Sequence, residues 1–536
     1  MMRWTEAFRV AMQTLMEETG FDAAECQNFY QSFEEEAARA FRLNSLKLEG
    51  RPEEAQKILE HLLGAGAKAP VAVPWSREGY YLPADCERPG KGLAYQAGLY
   101  YIQEASAMLP AELPTVWTGM RVLDLCAAPG GKSLRLAARL QGRGLLWSND
   151  ISDSRCQALL HNLEQAGVAE ALVTVAEPGQ LARQLAAAFD LILLDAPCSG
   201  EGMVRRDPQA LASWERYGPE SIRQIQAELL GHAAELLAPG GELVYSTCTF
   251  NVQENEGQIK AFLERHPDFS VLPAAERLPA AGRDCVSPAI DLPGALRIWP
   301  QRAEGDGHFC CLLKKSAAAP CPESQGLAGG PRKAGTEHRG GLDLDGLRRS
   351  FLTFAAQLFS PEQCALWASR PLGDLRSYKE QLLLLPQNLP RPWTELAELK
   401  GVKFLKTGLI LGRYQQAKGP AARRGRGGAR PGRPQELGAG LRWRPSHSLL
   451  LSLPSAALQK PLIWRPEEAE GARYLEAYLR GDTLELQAAD CGLDGGQPPY
   501  RAVCAEWPVL GCQALGWVKP EGSRAKNLYP PAWRSQ

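Results

Sequence analysis

The chain has 536 residues, 45% of them hydrophobic and 23% charged, and its 60 Lys and Arg nearly balance its 61 Asp and Glu. That is the composition of an ordinary globular protein, and the length exceeds what one hydrophobic core serves, so three or four domains are expected. A formal net charge of −1 excludes a uniformly basic nucleic-acid binder, and any basic surface has to be sought segment by segment.

Residues 1–70 read as a mainly helical extension, because "WTEAFRVAMQTLMEETG" and "PEEAQKILEHLLGAG" place apolar residues at three and four spacing, with a strand-like "FRLNSLKLEG" between them. The first twenty residues carry Glu6, Arg9, Glu17 and Glu18, which rules out the apolar region of a signal peptide. Over 71–315 the apolar runs "MRVLDLC", "GLLWSND", "ALVTVAE", "FDLILLDAP" and "GELVYSTC" alternate with helical stretches, the pattern of a parallel α/β sheet covered on both faces. Residues 316–341, rich in Pro, Gly and Ala, read as a linker. A small intermediate domain follows at 342–414, and then a second linker, 415–437. Its stretch "AKGPAARRGRGGARPGRP" holds Lys418, Arg423, Arg424, Arg426, Arg430 and Arg433 without an acid, so it reads as a solvated tether or an auxiliary RNA contact. Residues 438–536, with short strand-like runs and turns, read as a compact α+β or β domain.

The fourteen cysteines include no C-x-x-C pair, and Cys310 and Cys311 are adjacent, so no metal site is expected. No window reaches the length of a membrane span, and free thiols point to the reducing cytoplasm.

The first motif is "VLDLCAAPGGKS". A buried strand runs into a tight loop of Cys126, Ala127, Ala128, Pro129, Gly130 and Gly131, and the loop opens a helix at Lys132. A phosphate-binding P-loop would need glycine where Cys126 stands, and the dinucleotide fingerprint G-x-G-x-x-G is missing. Asp150, at the end of the next strand and about twenty residues past the glycines, is placed to grip ribose hydroxyls. A nucleoside without a pyrophosphate fits this pair best, and S-adenosylmethionine is the common example.

Two cysteines occupy equivalent strand ends. Cys198 follows the strand ending at Asp195 in "FDLILLDAPCSGEG", and Cys248 follows the strand ending near Ser246 in "GELVYSTCTF". One such cysteine reads as a small buried hydrophobe; two beside a nucleoside pocket read as chemistry. "GMVRRDP" places Arg205 and Arg206 just past the first loop, where they suit phosphates or are simply solvated. The seven histidines show no spacing suited to metal or triad chemistry.

"LDLCAAPGGKS", "LLDAPCSGEGM" and "VYSTCTFNVQENE", with "YYIQEASAM" before the sheet, resemble in order and spacing the signature motifs of the NOL1/NOP2/Sun family of RNA 5-methylcytosine methyltransferases. The resemblance covers most of residues 35–315. The tail, "LRWRPSHSLLLSL" and "GWVKPEGSRAKNLYPPAWR", is similar to the C-terminal region of the bacterial branch that modifies small-subunit ribosomal RNA. It implies a Rossmann-like class I S-adenosylmethionine-dependent methyltransferase sheet, an N-terminal helical RNA-binding extension and C-terminal α+β PUA-like domains. It further implies a cytoplasmic monomer acting on RNA, 16S ribosomal RNA or the small ribosomal subunit, with no membrane partner. Transfer RNA as substrate, DNA as substrate, and a non-catalytic RNA-binding assembly factor are the alternatives.

The same resemblance assigns roles. Cys248 is the nucleophile that adds to carbon 6 of cytosine and makes carbon 5 enamine-like, and Cys198 assists release. Asp195 bonds the polarised edge of the base, with Lys132 holding ring or charge. Cofactor contacts fall on the loop Cys126–Lys132, on Asp150 and Asp195, on Glu177 where the family often has aspartate, and on Arg155. "PGKGLAYQAG" lacks a histidine that relatives often carry, "FRLNSLK" replaces the commoner "LRVNTLK", and Pro531 and Ala532 stand where a basic residue and glycine are more usual. These departures bear on RNA docking more than on catalysis.

Overall fold

The computed structural model describes residues 4–64, 66–320, 343–416, 441–486 and 498–534. Most of the two expected linkers, from 321 and from 417 onward, lies outside the described residues. The chain divides into two compact units, Met1–Ala328 with Gln387–Lys406, and Gly329–Pro386 with Thr407–Gln536. The segment expected as a small domain over 342–414 is therefore shared between the units.

In the first unit two capped helices, Glu6–Thr19 and Ala23–Ser32, open the chain. Thr5 and Asp22 accept hydrogen bonds from the backbone N–H groups of Phe8 and Glu25, satisfying donors that a helix start leaves free. Phe8, Met12, Leu15, Phe29 and Phe33 then pack with Val204, Trp214, Phe250 and Trp299. Val204 and Phe250 belong to the loops that follow the two strand-end cysteines, while Trp214 lies on helix Pro208–Leu236 and Trp299 just past the strand Leu292–Ile298, so the extension packs against both cysteine loops. The strand-like stretch in this region is β1 (Arg39–Leu43), paired antiparallel with β2 (Gly79–Leu82) and β3 (Tyr100–Ile102).

The main sheet contains β4 (Arg121–Asp124), β5 (Leu145–Asp150), β6 (Ala171–Val175), β7 (Phe189–Asp195) and β8 (Leu237–Thr247), the five apolar runs read from sequence. It also contains β9 (Phe269–Val271), β10 (Ser287–Ala289), β11 (Leu292–Ile298) and β12 (His308–Lys315). Its order is β10-β11-β12-β8-β7-β4-β5-β6, continued by the strand Lys403–Thr407, with β9 against β12. The five expected strands are mutually parallel. β12 joins β8 antiparallel, a feature the alternating pattern did not announce.

Why these runs form strands follows from burial. All six residues of β5 are buried, as parallel strands covered on both faces require. Side chains alternate between two cores: Val122, Leu146, Leu191 and Val244 face one, and Leu123, Trp147, Ile192 and Leu243 the other. The segment Gln387–Lys406 adds to the second core, with Phe404 against Trp147 at 5.8 Å between ring centres. Strand succession reverses between β4 and β7, and the crevice past the carboxyl ends there is where doubly wound sheets hold ligands.

The second unit meets the α+β expectation. A four-stranded antiparallel sheet (375–378, 381–384, 409–416, 441–445) carries helices Leu344–Ala355 and Pro361–Ser369, and a five-stranded sheet carries helix Ala469–Arg480.

Candidate active site

β7 and β8 are parallel neighbours with Asp195 level with Ser246, so the chain leaves both strands at the same edge and height. The two loops therefore meet, and Cys198 Sγ lies 3.3 Å from Cys248 Sγ. Gly202 N–H donates to the Cys248 carbonyl at 3.0 Å, which fixes the second loop on the first. The hydrogen bond between the thiols, together with burial, pushes Cys198 well above the ordinary thiol range. The two thiols are within hydrogen-bond distance, and either can donate to the other.

Beside the thiols sits a compact charge cluster. Lys132 Nζ donates to Asp195 Oδ2 at 2.7 Å, Ser246 Oγ donates to Oδ1 at 2.7 Å, and His308 Nε2 lies 3.5 Å from Oδ1. Burial would raise the Asp195 carboxyl, but Lys132 and His308 overcome it and hold the group well below the usual carboxylate range. Burial would likewise lower Lys132, and the carboxylate reverses the effect, so the ion pair persists across physiological pH.

Two buried glutamates brace the cysteine loops. Glu254 Oε2 accepts from Ser199 N–H at 2.9 Å and from Gln226 Nε2 at 3.0 Å. Burial pushes Glu254 up to about 7. Glu201 accepts from Phe250 N–H at 2.9 Å and from Trp214 Nε1 at 3.1 Å, and burial raises it too. Each of these carboxyls begins in one loop and ends on the other or on a helix behind it. The thiol separation is thus set by rigid parts, as a site that must hold reacting atoms in place requires.

On the β4–β5 side the loop Cys126–Gly131 arches over the strand ends. Asp150 is 3% exposed, and its Oδ1 and Oδ2 accept from Ser152 N–H at 3.0 Å and Ala128 N–H at 3.3 Å. Arg155 reaches back to the Ala128 carbonyl at 2.6 Å and to Asp150 at 3.4 Å, so it braces the loop. Glu177 is exposed and precedes helix Pro178–Gln184, just past the end of β6. Cys126 is half-buried, and burial raises its thiol. Asp124 receives the Ser133 hydroxyl at 2.7 Å on Oδ2, while its Oδ1 is buried with no hydrogen-bond partner among the described residues. Burial pushes that acid up to about 7. A crevice with a strand-end carboxylate for a diol and an orphaned carboxyl oxygen for a cationic group fits a nucleoside that carries a cationic amino-acid chain.

One expectation is corrected. Arg205 and Arg206 do not reach outward as phosphate contacts: Arg205 donates to Asp306 at 2.6 Å and to the carbonyls of Ser32 and Gly305 at 2.9 Å, and Arg206 bonds Asp306 and the Ala38 carbonyl. A carboxylate that is 2% exposed needs both cations, and takes them inward. Sequence reasoning also passed over His308, Ser246, Glu201 and Glu254. Ser246 alone carried a local signal, its position level with Asp195 once the strands are taken as parallel neighbours. His308 arrives on an antiparallel strand, and nothing in its own surroundings announces it.

Residues 116–314 match the family described as 16S rRNA methyltransferase RsmB/F, and residues 5–105 match the N-terminal domain of 16S rRNA methyltransferase RsmF. Ribosomal RNA small subunit methyltransferase F of Salmonella paratyphi B is 35% identical over 98% of this chain and 95% of its own length. That of Escherichia coli (strain UMN026 / ExPEC) is 35% identical over 60% of this chain, and the match spans 66% of that relative. The crystal structure of PH0851 superposes with a TM-score of 0.50 at 27% identity, covering 58% of this chain and 68% of that one.

Proposed function

This chain belongs to the RsmB/F family of 16S rRNA methyltransferases, and on that premise we propose that it methylates carbon 5 of cytosine in 16S ribosomal RNA, acting as a cytoplasmic monomer. The observation that carries the reading is the 3.3 Å approach of Cys198 and Cys248 beside the Lys132–Asp195 pair.

Cytosine carbon 5 is a weak nucleophile. Addition of the Cys248 thiolate to carbon 6 breaks the aromaticity and gives carbon 5 enamine character, dividing one hard step into easier ones. S-adenosylmethionine, when bound, supplies the electrophilic methyl group. Asp195 accepts from the amino edge of the base, held in place by Ser246 and Lys132. The Cys198 thiol lies within hydrogen-bond distance of the Cys248 sulfur and is placed to steady it as an anion, both before attack, when the Cys248 proton passes to water, and when the carbon 6–sulfur bond breaks after the carbon 5 proton has passed to water. Asp150 and the orphaned Asp124 oxygen are suited to the ribose and to the cationic end of the donor.

The test uses methyl-labelled S-adenosylmethionine and unmodified 16S ribosomal RNA transcribed in vitro. Label is expected in 5-methylcytosine. Cys198→Ala is expected to accumulate a denaturation-resistant protein–RNA adduct and Cys248→Ala to form none; the reverse pattern refutes the assignment of roles.

A further inference from the structure

The four-stranded sheet of the second unit has one committed face. Trp443 packs there at 5.4 Å from Phe351, 6.3 Å from Phe354 and 5.3 Å from Tyr414, measured between ring centres. The opposite face is laid out by register. Tyr378 stands opposite Gln381, Gln381 opposite Arg413, and Arg413 opposite Arg444, so these four side chains form one row across four strands. In the next row Arg442 stands opposite Gln415. Arg413, Arg442 and Arg444 are all exposed.

Like charges directly opposite one another destabilise a ladder. Arg413 and Arg444 are such a pair, and no carboxylate is the ladder partner of any of these three arginines. Turned so that its amide oxygen faces Arg413, Gln381 accepts from the guanidinium at 3.1 Å, without neutralising it. At the end of the row the Tyr378 ring is 37% exposed, with the Arg376 guanidinium at 4.8 Å and Lys379 Nζ at 5.0 Å from its centre. Among the described residues these are cations with no carboxylate opposite them in the ladder, at strand spacing and ending in a partly exposed aromatic ring, and they match the two demands of a flexible polyanion that carries bases: charge along the backbone and a surface for stacking.

We propose that this face is an RNA-docking surface, with Arg413, Arg442 and Arg444 contacting backbone phosphates and Tyr378 offering its ring to an unstacked base. It belongs to the second unit, whereas the methyl-transfer crevice belongs to the first, and it serves to hold the substrate, so it rests on the reading of this chain as an RNA-modifying enzyme.

The experiment measures binding of the full chain to unmodified 16S ribosomal RNA transcribed in vitro, across a salt series, for wild type, for R413Q/R442Q/R444Q and for R413K/R442K/R444K. The Gln variant is expected to bind at least about tenfold more weakly and to lower the slope of log affinity against log salt by about 2, as three lost phosphate contacts require. The Lys variant is expected to keep that slope, which separates charge from folding damage. Equal affinity and slope for wild type and the Gln variant overturn the proposal. So does unchanged RNA affinity with lost retention on small ribosomal subunits, an outcome that would assign the face to a ribosomal protein. Failure of the wild type to methylate this RNA would instead defeat the functional reading, independently of what the arginine variants do.

Discussion

Lys132 and Asp195 join the two halves of the crevice: Lys132 lies at the start of the helix after β4, Asp195 ends β7, and Nζ meets Oδ2 at 2.7 Å. The side chains are 12% and 30% exposed, so water compensates neither fully. Lys132→Met leaves a carboxylate whose remaining supports are Ser246 and His308, and its affinity for protons rises. Removing one partner of such a pair costs about 3 kcal/mol of stability, and removing a charge positioned toward the reacting base costs about 100-fold in turnover. Single-turnover methyl transfer and thermal unfolding measure the two effects. A rate within about threefold of wild type would remove Lys132 from the chemistry, since even one lost donor in such a site exceeds that.

Gly202 shows how closely the cysteine loops approach. A Cβ there would lie 2.6 Å from the Asp306 carbonyl oxygen and 2.9 Å from the Cys248 carbonyl oxygen, both backbone atoms unable to swing aside. Gly202→Ala is therefore expected to push the loops apart and move the Cys248 sulfur off its line of attack. Adduct formation in a Cys198→Ala background should fall at least about tenfold, the scale expected when a reacting atom is displaced by a few tenths of an ångström or more. Affinity for S-adenosylmethionine, measured by equilibrium dialysis, should hold.

The extent to which this site was legible in the sequence follows from how far each contact reaches. β4, β5, β7 and β8 announced themselves as apolar runs ending in turn chemistry, and once they are parallel neighbours Cys198 and Cys248 must share an edge. His308 gave no such warning, because "HFCCLLKK" reads as one more apolar run and only the antiparallel insertion of β12 brings its ring to Asp195. Arg205 and Arg206 misled for a related reason. Their partner Asp306 enters from the turn before β12, and a local reading sees two arginines with only solvent to meet. The strand Lys403–Thr407 is a third case, since its pairing with the main sheet depends on the chain returning after part of the second unit.

Glu254 gives a pH signature with a definite sign. Its folded value of about 7 lies above the ordinary carboxyl value, so its contribution to stability is full below that ordinary value and is lost as pH rises through about 7. Asp124, also raised to about 7, adds in the same direction. The melting temperature of the first unit is therefore expected to fall between about pH 4.5 and 7.5 by the part these acids control. Glu254→Gln reproduces the protonated form: one side-chain oxygen still accepts from Ser199 and Gln226, and the proton-bearing side becomes an amide. Calorimetry across that range should show a flatter profile for Glu254→Gln and equal or higher stability at pH 8. A steeper fall in the variant would show that Glu254 is ionised in the folded protein.

Arg297 and Glu256 form the most deeply buried ion pair near the site, 2% and 0% exposed. The guanidinium fork meets the carboxylate at 2.7 and 2.6 Å and gives a further bond of 2.8 Å to the carbonyl of Phe250, two residues past Cys248. A bidentate fork of this kind is not reproduced by lysine, and removing one charge strands the other in a medium that cannot solvate it. Arg297→Met is expected to cost about 3–5 kcal/mol and Arg297→Lys a large share of that. The paired change Arg297→Met with Glu256→Gln, which leaves no uncompensated charge and keeps an acceptor for the Ile290 N–H, is expected to recover most of the stability. Recovery of stability need not recover activity. The Phe250 carbonyl still lacks its donor, so hydrogen exchange over residues 248–256 is expected to stay fast in the double variant, and adduct formation by Cys248 slow. Full recovery of both in the double variant would mean that the pair serves the fold alone and that the Phe250 contact does not position the nucleophile.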